Sequence, residues 1–221
     1  MKIAIQNQST VVSEHDVQTA VAAVQRQVTE HFAPAWSIEG ALCWIPEGQP
    51  VPADHALVLV LDDSDQADAL GYHDLQPNGM PQGKVFARAD IQAGLSWTIT
   101  LSHEVLELLV DPDVNLAAQD ADGSFFSYEV CDAVEADELG YRIDGVLVSD
   151  FVLPAWFTPS TPTSTPTSYR RNVFGPFVLA RGGYIGTWNP RSGWTQVQHS
   201  EDAREHVAPR GSRRERRARR G

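Results

Sequence analysis

From Trp97 to Val110 the chain reads WTITLSHEVLELLV, a run without glycine or proline that meets Pro112 just beyond its end. At about 100° per residue, Ser96, Thr100, His103, Glu104, Glu107 and Asp111 fall within an arc of roughly 100°. Trp97, Leu101, Val105, Leu106, Leu108, Leu109 and Val110 cover most of the remaining circumference. The pattern predicts a helix buried on every side except along one polar stripe. A solvated stripe usually mixes charges of both signs, whereas this one has three carboxylates and an imidazole with no Lys or Arg. It is either the wet side of an amphipathic helix or a row of anions that a cation holds together.

His103 and Glu107 are four apart and meet on adjacent turns, as the two histidines of an H-E-x-x-H zinc helix do, with a carboxylate in place of the second imidazole. In that motif the residue after the first ligand binds no metal and takes a proton from the metal's water, which makes Glu104 the expected general base. A third ligand is required. Asp111 shares the face but lies about 12 Å along the axis from His103. Asp113 falls where longer zinc-helix patterns carry the third ligand, with Val110 in place of the turning glycine and Pro112 intervening. The stretch SYEVCDAVEAD offers Glu129, Asp132, Glu135 and Asp137 near a strand end, with an acidic loop as the plain alternative. Cys131 can ligate zinc, although a lone cysteine there reads more simply as a small buried residue.

Around this helix the chain predicts a sheet. KIAIQN is a first strand, Ser13 and Asp16 form a capping-box-like start, and Val17, Ala20, Val21, Val24, Val28 and Phe32 recur at helical spacing up to Pro34. ALCWI and HALVLVLDD are strands, the second continuous enough to have both faces covered. The Asp/Gly/Pro-rich segment 62–88 reads as a long loop or edge region leading into KVFA, where His73 is able to reach a metal or a substrate but reads more simply as a surface residue. Two hairpins follow, one near DADG and one at Asp144-Gly145. Residues 158–168 form an exposed Pro/Thr/Ser loop, Trp156 and Phe157 plug the core, and GPFVLARGGYIGTWNPRSGWTQV closes the fold.

Charge is distributed unevenly. The last 21 residues hold 8 of the 17 basic side chains and 4 of the 29 acids, which leaves residues 1–200 at about −16 against −12 overall. Such a body repels nucleic acid and anionic membranes and gathers cations where its carboxylates converge. The arginine-rich segment 201–221 reads as a disordered tail able to track phosphates weakly and without sequence preference. Cys43 and Cys131 form no C-x-x-C pair, and no signal peptide or transmembrane stretch is read, so a cytoplasmic protein is expected.

The blocks SHEVLELLVDP, YEVCDAVEAD and SDFVLPAWF resemble the zincin-type metallopeptidases, which include the metzincins, and more closely a bacterial and phage group with an HExxE helix. GYHDLQPNGMPQGKVFA and GPFVLARGGYI extend the likeness over roughly residues 15–195. The resemblance implies an α+β fold: a mixed twisted sheet packed on two main helices, the second carrying HExxE, with a β-rich C-terminal part. It implies one metallohydrolase domain over residues 1–200, Zn2+ or another divalent cation, a peptide or protein substrate along the sheet edge, and a place in cytoplasm or phage particle. His103, Glu107, Glu129 and Asp132 are then the expected metal ligands. Glu107 stands where a full zincin has histidine. An anionic ligand lowers the effective charge of the metal and the acidity of its water, so a slow enzyme and a noncatalytic structural or interaction protein are both expected outcomes.

Overall fold

The computed structural model describes residues 1–65 and 69–199, so the arginine-rich tail and any role of it with nucleic acid lie outside the described residues. The chain opens with β1 (Lys2–Asn7) and α1 (Glu14–Arg26). Ser13 caps α1 as its sequence predicts: its Oγ accepts from the Asp16 N–H at 3.1 Å while the Asp16 carboxylate accepts from the Ser13 N–H at 3.0 Å. The helical path does not stop before Pro34. Residues Gln27–Phe32 widen into a π-helical turn and pass into α2 (Ala33–Trp36), the Ala33 N–H reaching Val28 O. Pro34, in the first turn of α2, has no N–H to satisfy there, so the wider turn absorbs it.

Next come β2 (Ala41–Ile45), β3 (Ala56–Leu61), β4 (Gly71–Leu75) and β5 (Pro81–Phe86). With β1 they form a five-stranded sheet of order β2-β1-β3-β5-β4. All pairings are parallel except the β4–β5 hairpin, which puts an antiparallel strand at one edge. In the segment read as a loop or edge region, Gly71–Leu75 is a regular edge strand paired with Pro81–Phe86. In β3 fully buried residues alternate with partly buried ones, so the ALVLVL run is sealed on one face and only half covered on the other.

Helix α3 (Ala87–Gln92) leads to α4 (Trp97–Val110), which packs across β4, β5 and β3. The C-terminal part is β-rich: β6 (Ala117–Gln119), β7 (Phe125–Ser127), β8 (Tyr141–Ile143), β9 (Val146–Val148), β10 (Tyr184–Asn189) and β11 (Gly193–Gln198). Four of these make a second sheet of order β11-β10-β7-β6. The β8–β9 hairpin turns at Asp144 and Gly145, with φ of 49° and 85°, the left-handed pair of a type I′ turn. Both α1 and α4 touch β9, which ties the two helices together.

The molecule is thus a mixed α+β protein with one hydrophobic core that runs from Ile3 to Ile185. Trp156 and Phe157 are buried in it, and the Trp156 indole donates to Val178 O at 2.7 Å. The Pro/Thr/Ser segment is not exposed throughout. Its first residues face solvent, but Thr167 and Ser168 are buried, with Thr167 Oγ1 donating to Gly175 O at 2.7 Å. Hydroxyls this short can be buried because the neighbouring backbone satisfies them. Among the described residues no helix is long and apolar enough to cross a membrane.

Candidate metal centre

Two glycines let α4 approach the sheet edge. A Cβ on Gly71 would stand 2.6 Å from Thr100 Cγ2 and 2.8 Å from Glu104 Oε1, and one on Gly83 would stand 3.2 Å from Leu108 Cδ1. The stripe of α4 consequently faces the sheet and the loop after β7 instead of solvent. His103, Glu104 and Asp111 are 0% exposed and Glu107 is 1% exposed, which overturns the expectation of a wet stripe. The physical reason lies in the partners: Asp132 meets His103, His73 meets Glu104 and the Cys131 N–H meets Glu107, so the polar groups of the stripe are buried against one another.

Within one helical turn, His103 Nε2 lies 3.0 Å from Glu107 Oε1. It also lies 3.2 Å from Oδ1 of Asp132, in a short 3-10 turn over Asp132–Val134. The Cys131 N–H donates to Glu107 Oε1 at 3.1 Å, which fixes that carboxylate from the loop side. The second imidazole is the one for which the sequence favoured a surface position over contact with a metal. His73 of β4 is 9% exposed rather than a surface residue, with Nδ1 at 3.3 Å from Glu104 Oε2 and 3.6 Å from Glu107 Oε2. Its Nε2 points toward Glu129 Oε2 at 3.7 Å. A histidine two residues after a close-contact glycine on an antiparallel edge strand is the signal that would have found it, since alternation turns residues 71 and 73 to the same face.

Asp132 and Glu129 thus both reach the cluster, Asp132 at His103 and Glu129 at His73. The four other acidic candidates are placed differently. Asp111 accepts from the Asn115 and Leu116 N–H groups at 2.9 and 3.0 Å and ends α4. Asp137 accepts from the Ser96 N–H at 2.7 Å at the start of α4. Asp113 is exposed. Glu135 is partly buried, one turn beyond Asp132.

Burial pushes the Glu107 carboxyl up to about 7, an effect that His103 opposes and the charges of Asp132 and Glu129 reinforce. Burial alone would lower His73, but Glu129, Glu104 and Glu107 outweigh it and raise the imidazole to about 9. Two sets of side chains here have ligand atoms within 4.8 Å of one another: His103, Glu107 and Cys131, and His73, Glu104 and Glu107. Both sets mix imidazole with oxygen or sulfur donors, a combination suited to zinc and its neighbours in the first transition row. No family model, curated protein or solved structure matches this chain.

Proposed function

We propose that the protein is a divalent-metal-dependent hydrolase of the zincin-like kind, zinc being the natural ion and a peptide or protein the substrate class. The observation that carries this reading is the convergence of Glu107 Oε1 and Asp132 Oδ1 on His103 Nε2 at 3.0 and 3.2 Å. Ligand atoms each about 2.0–2.2 Å from one ion stand roughly 3.0–3.6 Å apart at angles of about 90–120°. His103, Glu107 and Asp132 would hold the ion, which supplies an acidified water. Glu104, one residue beyond the first ligand and braced by His73, is the general base. The antiparallel strand at the edge of a sheet packed on the metal helix supports the zincin-like reading as well. The remaining exposure of the cluster is at His73, Glu129 and Asp132, the side from which a substrate would come.

A noncatalytic centre that holds an ion for structure is the second reading, favoured by the 0% exposure of both His103 and Glu104. Elemental analysis of the purified chain tests the first step, with metal expected in the native protein and lost from His103→Ala. Hydrolysis of a broad peptide library then separates the two readings. Glu104→Gln should abolish turnover while the ion at His103 is retained, and turnover unaffected by that change would end the catalytic reading.

A further inference from the structure

We propose, resting on the metal-centre reading above, that the cluster is built for two cations, with Glu107 bridging them. One ion would take His103, Asp132 and Glu107 Oε1, and the other His73, Glu104 and Glu107 Oε2. The two oxygens of Glu107 are already divided in this way, Oε1 at 3.0 Å from the His103 imidazole and Oε2 at 3.6 Å from that of His73. In the second set His73 Nδ1 is 3.3 Å from Glu104 Oε2, within the roughly 3.0–3.6 Å expected of atoms sharing one ion, and the ligand atoms of His73, Glu104 and Glu107 all lie within 4.8 Å of one another.

Charge points the same way. Glu104, Glu107, Glu129 and Asp132 are each at most 3% exposed. As carboxylates they bring four negative charges, which one divalent ion halves and two divalent ions cancel when both imidazoles are neutral. Uncompensated charge in a dry interior is unfavourable, and two divalent ions remove it with no proton kept on the carboxylates. The orientation of His73 is a separate observation. Its Nδ1 faces Glu104 and Glu107 while Nε2, which makes no hydrogen bond, points at Glu129. Histidine ligands commonly present their other ring N–H to a carboxylate, which fixes ring and tautomer. Glu129 occupies that place for His73. In the two-ion form Glu104 Oε2 is a ligand, which replaces its contact with His73 and takes from Glu104 the role of free base that it has in the single-ion form.

The full chain, stripped with chelator, reloaded with Zn2+ and dialysed free of excess, is analysed for metal per protein by mass spectrometry. A second sample loaded with Mn2+ is examined by electron paramagnetic resonance. Two equivalents, falling to one in His73→Gln, with the spectrum of an exchange-coupled manganese pair, are the expected results. One equivalent in the native chain, unchanged in His73→Gln, overturns the two-ion inference and leaves the single-ion reading standing. No equivalents overturns both. Two equivalents retained in a folded His73→Gln overturns the assignment of His73. Circular dichroism identifies a variant that has not folded, and the native count and manganese spectrum decide the question without it.

Discussion

The imidazole of His73 and the carboxylate of Glu104, separated by 31 positions in sequence, lie 3.3 Å apart in the interior, joining the edge strand β4 to the buried face of α4. That contact exists because nothing larger than hydrogen stands on Gly71, where an added methyl would meet Thr100 Cγ2, Glu104 Oε1 and Lys84 O at 2.6–2.9 Å.

Gly71→Ala should therefore push β4 from α4 and part His73 from Glu104. Overpacking of this kind costs about 1–3 kcal/mol. Urea denaturation should register that loss, and metal content should fall in the same variant. A Gly71→Ala protein with unchanged stability and metal content would show that the helix and strand are not held this closely.

Two acids of the α4 region should prove structural. Asp111→Ala removes the acceptor for two N–H groups after the helix and Asp137→Ala the acceptor at its start. Each should cost about 1–2 kcal/mol of stability. Neither should change the number of metal equivalents bound, and loss of an equivalent in either variant would place that residue among the ligands.

Asp62, just after β3, fastens the loop that follows β1. Its carboxylate accepts from the Ser9 and Thr10 hydroxyls, both at 2.6 Å, and from Arg88 at 2.6 Å. The Ser9 and Thr10 hydroxyls, with Arg88 assisting, lower it from 3.8 to about 2. A folded-state value below the unfolded one means the unfolded chain takes up the proton first. The stabilisation is then complete above pH 4 and drains away as pH falls toward 2. Asp62→Asn should be less stable than the native chain at pH 7, and the gap should narrow between pH 4 and 2. A gap independent of pH in chemical denaturation would contradict the pairing.

Local signals carried much of this architecture. The capping box at Ser13, the Asp144-Gly145 turn and the extent of α4 all follow from residues within a few positions of one another. His103, Glu104 and Glu107 were legible for the same reason, as a spacing on one helix. His73 was legible only as an alternative to a surface residue, because its buried position depends on a strand pairing and on close contact at Gly71, neither of which a Gly/Pro-rich neighbourhood advertises. The inward turn of the α4 stripe was hidden too, since periodicity gives the direction of a polar face but not what covers it. At Pro34 the expected stop fails because a π turn rearranges the hydrogen bonds that proline would have broken.

The zero exposure of His103 and Glu104 also sets a clock. An ion held beside them, as proposed above, would leave through the slightly exposed side at His73, Glu129 and Asp132, so its release should follow local opening there more than ligand strength. Exchange with an isotope-labelled ion would then run at the pace of local opening and quicken with mild denaturant, even where the equilibrium affinity is hardly altered.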